Sequence, residues 1–207
     1  MTSRVTLIIF AKAPVPGYVK TRLIPLLGAQ GAADTHKQLA EHSIKTAVFS
    51  SLYQVNLWCA PSPDHVFFSD MAENYSLKLF QQTGNDLGER MAYAFKETLA
   101  SNDIALIIGT DCPMLTHSDL EMIVGKLLNG HEAAIIPAED GGYVLLGLRK
   151  FSPTLFEGIN WGSADVYEQT RGKILALDWK LYEHETFWDV DRPEDIKRLP
   201  TLGLKLN

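Results

Sequence analysis

The sequence predicts an α/β protein, a mostly parallel sheet with helices on both faces. Three observations carry that reading. Short apolar runs alternate with stretches of helical period, as strand–helix–strand crossovers require. The strongest runs, VTLIIFA (5–11) and IALIIG (104–109), lack polar alternation, the pattern of strands covered on both sides. Polar residues of unusual chemistry collect just after the apolar runs, where an open sheet presents its ligand edge.

Taken in order, VTLIIFA is the first strand. A helical stretch from about 28 to 50 follows, with Leu39, Ile44, Ala47 and Val48 on one stripe. QVNLWCA (54–60) and LKLFQQ (77–82) are the next strands. DLGERMAYAFKETLA (86–100) opens on an acid and repeats Met91, Ala94, Phe95 and Leu99 at helical spacing. After IALIIG, THSDLEMIVGKLLN (116–129) is a helix that opens on a capping Thr or Ser. EAAIIPA (132–138) and GYVLLGLR (142–149) are strands parted by a turn with Asp140, Gly141 and Gly142. A helix near 163–177, a short strand near 180–184 and a helix from Pro193 complete the order. No linker, repeat or low-complexity tract interrupts it, so one domain over residues 1–207 is expected.

Composition narrows the partners. A net charge of −6 argues against a general nucleic-acid or anionic-membrane binder, so an anion site must be a local basic cluster. Cys59 and Cys112 sit far apart with no CxxC spacing, so they suggest no zinc site or disulfide framework, and Cys112 reads as a small buried residue. No apolar run reaches membrane-spanning length, and MTSRVTLIIFAK reads as a first strand, not a signal peptide. A soluble, cytoplasmic setting is expected.

The first cluster is FAKAPVPGYVKTRL (10–23). Its prolines and Gly17 stiffen a turn, Lys12, Lys20 and Arg22 bring charge, and Thr21 with free amides brings donors. A di- or triphosphate needs several cations and donors at once, although a solvated basic turn has the same composition. The Walker order is absent. In GTDCPML (109–115) Asp111 leaves a buried strand at the ligand edge, where its carboxylate can hold Mg²⁺ or Mn²⁺. It could instead cap the following helix, a task open equally to Thr116 or Ser118.

FWDVDRPED (187–195) places Asp189 and Asp191 at alternate positions, on one side of an extended chain. Either could complete a metal site with Asp111, and Asp191 could instead start the helix at Pro193. In EDGG (139–142), Gly141 and Gly142 permit close backbone approach, and Asp140 or Glu139 could accept from hydroxyls of a sugar-like acceptor. GNDLGERM (84–91) puts Gly88 and Arg90 at a helix start, where anions are favoured. Trp161 in NWGS could stack on a base or sugar, or plug a core. The six histidines form no metal-ligand spacing, and no Ser-His-Asp or Cys-His order emerges.

FAKAPVPGYVKTRL, TGNDLGERM, GTDCPML, PAEDGGYVLLGL and WDVD together resemble the DUF2064 family. This is the "transferase 1, radical-SAM/selenodomain-associated" group within the GT-A superfamily of nucleotide-diphospho-sugar transferases. The similarity spans about residues 5–195. VKTRL is also similar to an element of phospholactate guanylyltransferases and, more distantly, of molybdenum-cofactor guanylyltransferases. The resemblance implies a three-layer α/β/α Rossmann-like GT-A fold. It implies that Asp111 takes the place of the metal-binding aspartate, Asp189 or Asp191 that of the late acidic ligand, and Lys20 and Arg22 that of the basic loop on the triphosphate. Two departures stand out: FAKAPVPG replaces the LAGGxG opening, and no D-x-D follows the central strand.

The expected activity is Mg²⁺- or Mn²⁺-dependent nucleotidyl transfer from an NTP to a small phosphorylated acceptor, releasing pyrophosphate. Lys20, Arg22 and Asp111 would carry the chemistry. Lys12, Gly17, Thr21, Gly88 and Arg90 would join Lys20 and Arg22 on the nucleotide. Asp140, Gly141, Gly142 and Trp161 would hold the acceptor. Glycosyl transfer from an NDP-sugar is the alternative reading, and a non-catalytic nucleotide-binding module a further one.

Overall fold

A computed structural model describes residues 3–202. Its strands are β1 (Val5–Lys12), β2 (Gln54–Ala60), β3 (Lys78–Gln81), β4 (Ile104–Ile108), β5 (Ala133–Pro137), β6 (Tyr143–Leu148) and β7 (Leu181–Glu183). They form one sheet in the order β3-β2-β1-β4-β6-β5-β7. Only β6 runs against its neighbours, β4 and β5, because a tight turn joins it to β5. Every other pairing is parallel, as crossover helices demand.

The helices are α1 (Ile24–Ala47), α2 (Val66–Tyr75), α3 (Leu87–Leu99), α4 (His117–Leu128), α5 (Val166–Ala176) and α6 (Pro193–Ile196). Strand alternation explains the three layers. Leu7, Ile9, Leu57, Leu106 and Ile136 point to one face and meet Ile44 of α1, Phe68 of α2 and Ile123 of α4. Ile8, Ala105, Ile107, Ile135 and Leu146 point to the other and meet Met91 and Phe95 of α3 and Ile174 of α5. The fold is therefore the expected three-layer α/β/α arrangement. Among the described residues no helix is long and apolar enough to cross a membrane.

Two local differences from the sequence reading are physical. Helix α2 was not expected between residues 60 and 77, because Val66, Phe67 and Phe68 are consecutive and obscure the period. Phe67 and Phe68 are buried, and His65 Nδ1 caps the helix by accepting from Phe67 N at 3.2 Å. Helix α1 begins before Gly28, where the chain kinks through φ 70°, and continues as expected. A third, smaller core joins Leu23, Ala32 and Leu39 to Trp188, Val190 and Leu199. It pins the loop after β1 against the segment that follows β7, and the site lies beside it.

Candidate functional site

The loop after β1 ends on Lys20, whose backbone is left-handed at φ 47°, ψ 42°. That conformation costs a non-glycine residue about 1–2 kcal/mol and needs compensation. The side chain supplies it. Lys20 Nζ lies 2.8 Å from Asp111 Oδ1 and donates to the Val190 carbonyl at 2.5 Å. The side chain is only 4% exposed. Val190 N in turn donates to the Asp111 carbonyl at 2.8 Å. Three segments far apart in sequence are thus tied at one point.

Asp111 stands just past β4, and helix α4 is capped without it. Thr116 Oγ1 accepts from Asp119 N at 3.3 Å, and Asp119 Oδ2 accepts from Thr116 N at 2.9 Å. Asp111 Oδ1 is wholly buried while the side chain as a whole is 45% exposed, so the open surface belongs to the rest of the carboxylate, Oδ2 foremost. Burial would raise its pKa, but Lys20, His36 and Lys12 outweigh burial and hold the carboxyl below its ordinary range.

His36, on α1, was not singled out by sequence. Its Nε2 lies 3.0 Å from the Lys12 carbonyl and so carries the donated proton, while Nδ1 is 3.8 Å from Asp111 Oδ1. Burial lowers its pKa more than Asp111 and the Lys12 carbonyl raise it, which keeps the ring neutral at pH 7.

Two hollows open on this edge and meet at Phe10, Leu87, Gly109 and Asp111. The first, of about 470 Å³, is basic: Lys12, Lys20, Thr21, Arg22 and His36 line it, with Gln82 and Asp191. The second, of about 270 Å³, is acidic and apolar. Asp111, Asp140 and Asp189 line it with Met91, Tyr143 and Trp161, and no Lys, Arg or His side chain of the described residues does.

The segment after β7 continues beside β5, through the parallel bridge Ala138–Phe187, and delivers both late aspartates. Its alternation buries Trp188 and Val190 and turns Asp189 and Asp191 to the cleft. They do not share one task. Asp189 faces the acidic hollow, where burial, then Asp140 and Asp111, push its pKa up to about 6 against the pull of Lys20. Asp191 faces the basic hollow and accepts a hydrogen bond from Arg22 Nη1. Nor does Asp191 cap the last helix: Arg192 is the N-cap, and Asp195 Oδ2 accepts from both Asp191 N at 3.0 Å and Arg192 N at 2.7 Å.

Other expected residues divide in the same way. Gly141 sits at φ 90° in the β5–β6 turn, and a Cβ there would stand 1.9 Å from the Ala164 carbonyl oxygen. Gly142 N donates to Asp140 Oδ1 at 2.8 Å, which fixes that carboxylate. Glu139, the alternative to Asp140, is held instead by Arg198 through contacts of 2.7 and 2.9 Å. Trp161 lines the acidic hollow with its indole over Gly88, where an added Cβ would come within 2.2 Å of Nε1.

Three residues expected in the nucleotide-binding set do not line the basic hollow. Gly88 makes room for Trp161 and does not line the basic hollow. Arg90 Nε donates to the Gly84 carbonyl at 3.0 Å, and the side chain lines a neighbouring hollow with Lys12 and Tyr18. Gly17, at φ 85°, turns the loop and is exposed outside the basic lining. Cys112 is buried, as expected, and burial pushes its thiol up to about 12.

Among the described residues no three His, Cys, Asp or Glu side chains converge as a ready metal cage. A hard cation that shares phosphate oxygens needs only one or two carboxylates, and the open part of Asp111 with Asp189 fits that lesser demand.

Comparison with known proteins gives the lineage. None of the curated proteins matches the chain significantly. A solved structure from Desulfovibrio desulfuricans G20, provisionally described as a nucleotide-diphospho-sugar transferase, is 30% identical with a TM-score of 0.84, covering 92% of this chain and 83% of that one. CMP:2-keto-3-deoxy-manno-octonic acid synthetase, solved with CTP, is 11% identical with a TM-score of 0.62, covering 97% of this chain and 98% of that one. Glucosyl-3-phosphoglycerate synthase of Mycobacterium tuberculosis, solved with Mn²⁺, UDP and glucosyl-3-phosphoglycerate, is 12% identical with a TM-score of 0.58, covering 95% and 75%. These last two likenesses are of fold alone. The family model described as "Uncharacterized protein conserved in bacteria (DUF2064)" matches residues 43–163, more than half of the chain, and the protein belongs to that family.

Proposed function

We propose that the protein is a transferase that draws on a nucleotide donor, with nucleotidyl transfer from an NTP as the leading reaction. The observation that carries this reading is the junction at Asp111 of a basic hollow with a second, acidic and apolar one. Such a seam suits a reaction in which a polyphosphate lies on one side and an acceptor approaches from the other. An acceptor oxygen would bond to the α-phosphorus, any proton it carries passing to Asp140 or to water, and the bond from that phosphorus to the bridging oxygen would break, releasing pyrophosphate. No protein nucleophile is required, because positioning and charge neutralisation supply the catalysis.

The chain's own residues divide the work. Lys12 and Arg22 neutralise phosphate oxygens, and Thr21 donates to them. Lys20 acts one step removed: its ammonium is buried against Asp111 and Val190, so it positions the carboxylate instead of reaching out to phosphate. Asp140 receives a hydrogen bond from the acceptor, and Trp161 gives it a flat wall. Asp111 with Asp189 would hold Mg²⁺ or Mn²⁺, which supplies Lewis acidity and orientation to the phosphates.

Glycosyl transfer from an NDP-sugar is the second reading, favoured by the description of the 30% identical relative. A single assay separates the two, since one releases pyrophosphate and the other a nucleoside diphosphate. A panel of NTPs and NDP-sugars, with and without Mg²⁺, would identify the donor through a raised melting temperature. Asp111→Asn should then lose turnover by at least about a hundredfold, as removal of a preorganised charge does. Near-normal turnover in that variant refutes the assignment.

A further inference from the structure

The two hollows differ in what they can accept, and the acidic one limits the acceptor. It is small, at about 270 Å³ near the lower end of ligand pockets, which run from about 300 to 1,000 Å³. Its body is apolar, formed by Met91, Val144, Val166 and the ring of Tyr143. Trp161 makes a fixed wall, because its indole fills the space above Gly88 and leaves no room for a side chain there. The ionisable carboxyls of Asp111, Asp140 and Asp189 face inward, and no lysine, arginine or histidine of the described residues joins them.

We infer that the acceptor is a compound without phosphate or carboxylate groups, one that turns a hydroxyl or ammonium donor to Asp140 and lays an apolar face on Trp161. This rests on the reading given under Proposed function and narrows it. It also runs against the phosphorylated acceptor expected from sequence. Like charges brought together in a partly closed space cost affinity steeply, whereas donors to a carboxylate form the stronger, charge-assisted kind of hydrogen bond. Lys20 is the cation nearest the seam, and its charge is already spent on Asp111 Oδ1. A divalent cation held by Asp111 and Asp189 would offset their charge at the seam, but Asp140, on the β5–β6 turn, lies outside that pair and still turns its carboxylate to the ligand. Its carboxylate is held in place by the Gly142 amide, so it cannot simply swing away without losing that bond.

The test uses the full chain and sets of small compounds matched in skeleton: glycerol with glycerol 3-phosphate and 1-amino-2,3-propanediol, and glucose with glucose 6-phosphate and glucosamine. Pyrophosphate and Mg²⁺ are present throughout, so that the basic hollow and the seam at Asp111 are both occupied. The readout is the indole N–H resonance of Trp161, assigned with Trp161→Phe, titrated by each compound. The expected result is that neutral or amino members move this resonance and their phosphate esters do not. Asp140→Asn keeps an oxygen for Gly142 N and so preserves the turn; it should weaken the amino members about tenfold, the loss of one charge-assisted bond. Phosphate esters that move the resonance as well as their partners overturn the inference. So does a panel in which no neutral or amino member binds. A separate titration with NTPs, NDP-sugars and Mg²⁺ reports on the basic hollow. Failure of every nucleotide there sinks the transferase reading, while nucleotide binding with phosphate esters winning at Trp161 sinks only the present inference.

Discussion

The basic and acidic hollows lie side by side on one edge of the sheet, yet they are built in opposite ways. The basic one sets exposed side chains, Lys12 at the end of β1 and Arg22 on the loop that follows, over the buried Lys20 and His36: Arg22 is 66% exposed, and its partner Asp191 lies in the segment after β7. Fixed, short side chains make the acidic one, backed by glycines whose missing Cβ atoms let Trp161 and Ala164 close in. The difference suits the tasks proposed. A flexible polyanion tolerates mobile cations, whereas an acceptor oxygen has to be aimed. Between the two, the buried Lys20–Asp111 pair is the hinge on which both depend.

The largest effect is expected at that hinge. Lys20→Met leaves the buried oxygen of Asp111 without its cation and the Val190 carbonyl without its donor. Loss of one partner of a buried pair costs about 3–5 kcal/mol, and the half-open Asp111 places this case near the lower end. Urea unfolding measures it; a loss below about 1 kcal/mol would mean that the two hollows are not coupled through Lys20.

Gly88→Ala is next and strikes only the acidic side. The new Cβ meets the Trp161 indole at 2.2 Å, so the wall must move, at a cost of about 1–3 kcal/mol. Calorimetry should show that pyrophosphate binding persists. Equal damage to pyrophosphate binding would show that the hollows do not work as separate halves.

Arg22→Ala is the mirror case. The exposed pair with Asp191 contributes at most about 1 kcal/mol, so the melting temperature should barely change. Affinity for pyrophosphate should fall about tenfold, as expected when one charge-assisted contact is lost, and the loss should shrink at high salt.

The smallest effect is pH-dependent. The folded pKa of Asp189, about 6, lies above its value in the unfolded chain, so the folded state binds the proton more tightly. Stability is therefore lost as pH rises through the window from about 4 to 6. Asp189→Asn removes that loss and should be more stable than the parent by about 1 kcal/mol at pH 8, allowing for solvent screening of a partly exposed group. The difference should vanish near pH 4. A gain of equal size at both ends would assign the effect to something other than charge.

Sequence showed the hinge acid and the basic loop because both follow apolar strands, and position at a strand end is a local property. It also brought Asp189 and Asp191 to the cleft through their alternation. It did not say which hollow each would face, since that depends on Arg22, a residue about 170 positions away. His36 and Gln82 were passed over for the same reason. One lies mid-helix and the other just after β3, and only the folded chain brings them to Lys12 and to the carbonyls of Ala11 and Trp58. Gly88 was read as an anion site from its place at a helix start, whereas the decisive contact comes from Trp161 in a distant loop. VKTRL presents Lys20 as a cation open to phosphate, and nothing in that stretch reveals that its ammonium is buried.

The division of the cleft is tested most directly by diffraction from crystals soaked with Mn²⁺ and the best-binding nucleotide. The account predicts an anomalous manganese peak in contact with Asp111, and phosphates lying against Lys12, Thr21 and Arg22. Phosphates seated against Asp140 and Trp161 would contradict it, as would manganese bound away from residue 111.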